Sequence, residues 1–322
     1  MNTSILKKRN LLIKTIRNYF DNLGYLEVDT PVLALSCIPE SNIELFTTEY
    51  LDPYGNTRSL SLLPSPEYYM KKLLAADMGS IYQICKSFRN SESLSHIHNI
   101  EFTMLEWYTV GKDYIHAMDL TEDLYFNLCK SLDPRTPKYS FSKYSLEEAF
   151  TKFAGFSLKK ALLEGSLRKH AEEAGIMTTD SDSDEDLFHK VLIEKIEPEI
   201  LPLGPVFLYD YPKLVPTLAE DKNELWSQRW ELYINGIEIA NCYTEERSKD
   251  KMNSFFFEES EKKAHALVPA SFDWRWPEEI GESLPLCSGA ALGVDRLIMA
   301  VLGINAIEGV ILFPFSDILE SK

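Results

Sequence analysis

Residues 88–108 read FRNSESLSHIHNIEFTMLEWY, and the fold is decided there. The run Ile81 to Phe88, just before it, is rich in strand-forming side chains. Glu101 to Tyr108 reads as its antiparallel partner, with Arg89 to Ile100 as the connecting loop. A second stretch, residues 289–297, reads GAALGVDRL. Each stretch holds one arginine, Arg89 or Arg296. The first adds carboxylates and aromatic rings; the second adds closely spaced glycines that let a backbone approach a ligand.

Working outward, Ile5, Leu12, Ile16, Tyr19, Phe20 and Leu23 recur at the spacing of one helix face. Gly24 is a natural stop. Residues 25–30 alternate as a strand, and Pro31 ends it because proline cannot donate to a ladder. This helix–strand–proline element is a candidate packing or dimer surface. Residues 43–63 read as strands around a turn at 53–56. Ser65-Pro66-Glu67 opens a helix, with proline in its first position. Residues 207–209 and 230–234 read as strands, and Asn235-Gly236 turns the chain back through 237–241. Helices are expected over 250–265 and from Val294, and a last strand over Val310 to Phe313. Strands spread along the chain, joined by hairpins and separated by helices, predict an α+β fold. Its sheet is mixed, mainly antiparallel and flanked by helices.

Residues 178–186 read TTDSDSDED. A calcium loop starting at Asp180 fails, because Glu185 replaces the turn glycine and Val191 the closing glutamate. The run reads instead as a solvated loop capping a helix from Leu187.

The 322 residues carry 33 Lys and Arg against 50 Asp and Glu, a net charge of −17. That argues against a broad nucleic-acid footprint, which needs basic surface to displace phosphate counterions. Apolar residues at 45% can build a sizeable core. The five cysteines are scattered with no C-x-x-C pair, so neither zinc nor a disulfide framework is expected. No signal-peptide pattern or membrane-length apolar run is read, and the expected location is cytoplasmic.

The inventory fits activation of a carboxylic acid by ATP. A carboxylate attacks the α-phosphorus, pyrophosphate leaves, and the transition state gathers negative charge. Arginine suits that task, being always charged and matching two phosphate oxygens. Arg89 stands at a strand end beside an open loop, and Arg296 begins a helix. Phe102 shares a sheet face with Met104 and Glu106 and could lie under an adenine. Glu231 and Glu238, on the two arms of the Asn235-Gly236 hairpin, are candidates for Mg²⁺.

As a set, these residues resemble the catalytic domain of class II aminoacyl-tRNA synthetases. Helix–strand–Pro31 resembles motif 1, FRNSE…HNIEFTMLEWY motif 2, and GAALGVDRL motif 3. SPEYYMKKLL, EFTMLEWY and IEIANCYTEE resemble the lysyl branch. Starting at motif 1, residues 1–322 read as a single catalytic domain without an anticodon-binding domain. That truncation, with Glu106-Trp107-Tyr108 and Ala291, is similar to the lysyl-type paralogues that ligate (R)-β-lysine to elongation factor P. Ser91 stands where the family has glutamate, and Ile100 where it has proline.

The resemblance implies an ATP site of Arg89, Glu92, His98, Asn99, Phe102, Glu238 and Arg296, with Arg89 and Arg296 catalytic. It implies an amino-acid pocket of Glu67, Glu106, Tyr108, Asn241, Glu245 and Ala291, and magnesium at Glu231 and Glu238. The expected cofactors are ATP and Mg²⁺. The expected partners are (R)-β-lysine, elongation factor P and a second copy in a homodimer, with neither tRNA nor membrane. Two alternatives stay open: a lysyl-type enzyme with another acceptor, tRNA or a free amine, and a non-catalytic lysine- or nucleotide-binding module.

Overall fold

The computed structural model describes residues 3–138, 140–264, 267–268 and 270–320. Its eleven strands are β1 (Leu26–Glu27), β2 (Leu33–Ala34), β3 (Phe46–Leu51), β4 (Thr57–Leu62), β5 (Ile81–Phe88) and β6 (Glu101–Val110), then β7 (Ser142–Ser145), β8 (Val206–Pro212), β9 (Trp226–Ile234), β10 (Ile237–Thr244) and β11 (Cys287–Gly293). Eight of them form one sheet, ordered β1-β5-β6-β11-β10-β9-β8-β7. Only the two edge pairs, β1–β5 and β7–β8, are parallel. The remaining three, β2, β4 and β3, form a small antiparallel sheet. The mixed, mainly antiparallel sheet expected from the sequence is therefore present.

Six helices frame the architecture: α1 (Thr3–Asn22), α2 (Glu67–Ala75), α3 (Tyr114–Leu132), α4 (Asp184–Val191), α5 (Lys249–Lys263) and α6 (Val294–Leu302). Further short helices between β7 and β8 build a satellite bundle with its own core around Phe150, Phe188 and Ile196. Along α1, Leu12, Ile16 and Phe20 recur every four residues and are wholly buried. They pack with α3 and α6 on one face of the large sheet, against Tyr82, Trp107, Trp230 and Leu292. Each such side chain contributes roughly 1.5–3 kcal/mol through burial. The opposite face of the sheet is left for the site.

Local chemistry explains the chain reversals. Asn235 and Gly236 both take positive φ, 53° and 73°, as a primed hairpin turn requires. Ser183 and Asp186 form a capping box, so α4 starts at Asp184, three residues before the expected Leu187. The 65–67 helix also starts one residue later than expected: Pro66 is its N-cap, and Ser65 Oγ accepts from the Glu67 N–H at 3.2 Å. The strand expected over 25–30 is paired only at Leu26–Glu27, where the β5 edge ends.

One expected strand does not form. Residues 310–313 are turns and bends after a short 3₁₀ segment, Ile307–Gly309. Val310 is fully buried, but its carbonyl is taken by Arg9 Nη1 at 3.3 Å rather than by a ladder. Only Val310 of this short apolar run is buried, while Leu312 and Phe313 are exposed, and so short a run does not by itself specify a strand.

Candidate active site

Antiparallel register stacks the functional side chains in rows across the free face of the sheet. One row runs Gln83, Glu106, Ala291, Asn241, Glu231 from β5 to β9. The next, two residues along each strand, runs Ile81, Tyr108, Gly289, Tyr243, Arg229. Residues directly opposite in a ladder share a face. From these rows Glu106, Ala291, Asn241, Tyr108, Gly289, Tyr243 and Arg229 line the first of two joined cavities, and Ala291 and Asn241 also line the second.

The first cavity, of about 280 Å³, takes in Glu67, Glu106, Tyr108, Asn241, Glu245 and Ala291, the whole expected amino-acid pocket. Its polar groups form a connected network. Lys71, only 1% exposed, bridges Glu67 and Glu245, the latter at 2.6 Å. The Tyr243 hydroxyl donates to Glu67 at 3.0 Å, and Tyr108 donates to Glu106 at 2.6 Å. Glu106 Oε2 is buried with no partner among the described residues. A buried carboxylate oxygen without a donor is costly unless a ligand supplies one. Burial, then the neighbouring Glu67, holds the Glu106 carboxyl well above the usual range. Burial pushes Glu245 up to about 8 despite the opposing pull of Lys71. Burial would lower Lys71, but Glu245 and Glu67 raise it above its ordinary value and keep it cationic. The cavity is thus rich in carboxyl groups that gain from a further ammonium.

Gly289 makes this packing possible. A Cβ there would stand 2.0 Å from Glu245 Oε1 and 2.5 Å from the Tyr108 ring.

The second cavity, of about 160 Å³, takes in Arg89, Glu92, His98, Asn99, Phe102, Glu238 and Arg296, the whole expected ATP set. Arg89 lies over the Phe102 ring at 5.4 Å, and its Nε has no partner among the described residues. Arg296 is held by the carbonyls of Glu238, at 2.9 Å, and Ile97, at 3.2 Å. His98 Nδ1 meets Ser95 Oγ at 2.8 Å. Burial, then Arg296, lowers the His98 pKa, which favours the neutral ring. Asn99 ties the loop to Phe315 N at 2.9 Å. Arg89, Met104, Asn241 and Ala291 line both cavities, so the two are continuous.

Glu231 is the exception among the expected residues. It lines neither cavity, and both its oxygens are engaged. Arg229 donates to one at 2.6 Å; Tyr211 and Tyr233 donate to the other at 2.6 and 2.7 Å. Glu238 has no donor to its carboxylate among the described residues and opens on the second cavity. Burial, then Glu231, raises its pKa. Among the described residues, no three His, Cys, Asp or Glu side chains are grouped to hold a metal. The donor set suits magnesium carried by phosphate oxygens, which takes only one or two carboxylates from the protein.

Sequence reasoning missed Lys71, Tyr243, Arg229 and Gly289. A period signal pointed to each. Lys71 is four residues after Glu67 on a helix. Tyr243, Arg229 and Gly289 are each two residues from an expected site residue on the same strand.

The family model described as tRNA synthetases class II (D, K and N) matches residues 1–317. The chain is 36% identical over 319 residues to the elongation factor P–(R)-beta-lysine ligase of Vibrio vulnificus, covering 96% of this chain and 95% of that one. It is 35% identical over 313 residues to the protein of that name from Mannheimia succiniciproducens, covering 96% and 94%. Against the one from Vibrio cholerae it is 34% identical over 319 residues, covering 97% and 95%. With its motif residues gathered on one face of such a sheet, the chain belongs to the class II tRNA synthetase family.

Proposed function

We propose that the chain is an ATP-dependent ligase. It activates (R)-β-lysine as an adenylate and passes the β-lysyl group to the ε-amine of a lysine on elongation factor P. One observation carries the reading: a carboxyl-rich cavity opens directly into one bearing two arginines and an aromatic ring. A substrate with two ammonium groups suits the first, because a desolvated ammonium needs several anionic partners. Its carboxylate would then lie at the junction, where Arg89 lines both spaces.

In this reading Arg89 and Arg296 are catalytic. They hold the phosphates and take up charge that develops as pyrophosphate leaves. Phe102 stacks on adenine, and Glu92, His98 and Asn99 hold the rest of the nucleotide. Glu67, Glu106, Tyr108, Asn241 and Glu245 hold the amino acid. Mg²⁺, when bound with ATP, would neutralise phosphate charge. Glu238 is its open protein ligand, and Glu231 can join only by releasing a tyrosine or Arg229. No base is needed for the first step, since the substrate carboxylate is already ionised.

The second copy of a homodimer would sit on the edge formed by α1, β1 and β2. Leu26, Val32, Leu33 and Leu35 are exposed there, an apolar run a lone chain would leave in water. The acidic surface disfavours tRNA as an acceptor. No helix among the described residues is long and apolar enough to cross a membrane, and the expected location remains cytoplasmic.

The test is ATP–pyrophosphate exchange with (R)-β-lysine, (S)-β-lysine and α-lysine, followed by intact mass of elongation factor P. Preference for the (R)-β isomer with one β-lysyl mass added supports the proposal. Preference for α-lysine, or exchange without modification of the factor, sinks it.

A further inference from the structure

Aminoacyl transfer to a lysine raises a problem the first step lacks. The acceptor arrives as an ammonium and must lose a proton before its nitrogen can attack. The cavity wall opposite the sheet bears on this. Residues 38 and 40–43 line it, together with Glu185 and His189 on α4 and Glu259 on α5. Glu40 lies in that segment, and its carboxyl meets no hydrogen-bond or ion-pair partner among the described residues.

The segment is firmly held. Cys37 N donates to Ser271 O at 3.1 Å, and Ser41 N donates to Glu259 Oε2 at 2.7 Å. Lys263 Nζ donates to the Ile43 carbonyl. Glu44 accepts from the N–H groups of Leu267 and Val268 at 3.1 and 3.2 Å. Asn90 N, one residue past Arg89, donates to Glu44 O at 2.8 Å. The segment that carries Glu40 is therefore tied to the loop that carries Arg89. A carboxyl group held rigidly, left unpaired and facing a shared cavity is equipped to act on a ligand.

Resting on the ligase reading above, we propose that Glu40 is the base that takes the proton from the acceptor ammonium. The acceptor would enter past Glu185 and Glu259, which attract its charge. Glu40 removes one proton. The neutral nitrogen then forms the new C–N bond to the adenylate carbonyl carbon. As the C–O bond to the phosphate breaks, its electron pair leaves with AMP, and the second nitrogen proton passes to the departing phosphate.

The surroundings tune Glu40 for this. The groups facing it are Glu67 and Lys71 of α2, Arg89 at the end of β5, Glu259 and Lys263 of α5, and Cys37 beside it. Burial first, then Glu67, push its carboxyl up to about 7, against the pull of Arg89 and Lys71. A base is most effective when its pKa lies near the working pH.

The experiment separates the half-reactions of Glu40→Gln. ATP–pyrophosphate exchange with (R)-β-lysine should stay within about threefold of wild type, which also shows that the variant is folded. Transfer to elongation factor P at neutral pH should fall by about 10²-fold or more, the usual scale of general-base catalysis. Wild-type transfer should lose activity as pH falls through about 7, where Glu40 becomes protonated; the variant should lack that limb. Hydroxylamine is already unprotonated at neutral pH, so it should capture the adenylate equally well in both proteins. Equal transfer by variant and wild type would overturn the Glu40 role alone. Exchange and hydroxylamine capture falling in step with transfer would overturn it too, making Glu40 structural. A wild type that forms adenylate but modifies no protein amine would sink the acceptor reading and the Glu40 role together.

Discussion

The two cavities lie side by side on one sheet face yet solve opposite electrostatic problems. The acidic one is internally connected before any ligand arrives: Lys71 spans Glu67 and Glu245, and two tyrosine hydroxyls cap Glu67 and Glu106. The nucleotide cavity presents a buried Arg89 Nε with no partner among the described residues, and a Glu238 carboxylate without a donor. One space is organised to recognise, the other to act once phosphate fills it. β6, β10 and β11 supply both, because each strand runs from one cavity into the other: Phe102 lines the nucleotide side, Tyr108 the acidic side, and Met104 both. Position along the strand selects the cavity, and side-chain parity selects the face.

The largest break in this comparison should come from the nucleotide side. Arg89→Ala removes a guanidinium that no other side chain replaces at the junction. Pyrophosphate exchange should fall about 10²–10³-fold, the range for losing one transition-state donor. Binding of the free amino acid, measured calorimetrically without ATP, should weaken far less, because its ammonium groups keep their carboxyl partners in the acidic cavity. Equal loss of both would mean that the cavities are not separable.

A smaller effect is expected from Gly289→Ala, which attacks the acidic network alone. The new methyl would overlap the Glu245 carboxylate and the Tyr108 ring. Neither can retreat freely, since Lys71 holds Glu245 and Glu106 holds Tyr108. Overpacking of this kind costs about 1–3 kcal/mol. The KM for the amino acid should rise about 10-fold to 10²-fold while the KM for ATP stays near wild type. A parallel rise in both would show that β11 moves as a unit.

How much of this was legible in the sequence follows from which interactions are local. Strand period and turn chemistry gave β5, β6, β9 and β10, so residues two apart such as Phe102, Met104 and Glu106 were assigned to one surface. The resemblance supplied their roles. Glu231 shows the limit. Its partner Tyr211 lies 20 residues away on β8, and strand pattern alone could not tell that its carboxylate was already engaged. Glu40 is a harder case: its segment is positioned by α5 and by Leu267, Val268 and Ser271, more than 200 positions away. Val310 to Phe313 failed differently, because a short apolar run lacks the length that separates a strand from a turn.

Ala291 tests the wall between the cavities, and its effect should be the smallest. It faces Glu106 across β6 and Asn241 across β10, and its methyl lines both spaces. Moving an amino group from the α to the β carbon shifts an ammonium by one bond, a displacement on the scale of a methyl group. Ala291→Gly would open that volume beside the substrate's carboxylate end. Recognition by one methyl-sized feature is worth about 1–3 kcal/mol. The ratio of exchange with (R)-β-lysine to exchange with α-lysine should therefore fall about tenfold, chiefly through improved use of α-lysine. ATP affinity should hold, because Arg89, Phe102 and Arg296 are untouched. An unchanged ratio would move discrimination away from the wall and into the acidic network, to be sought at Glu106 and Asn241.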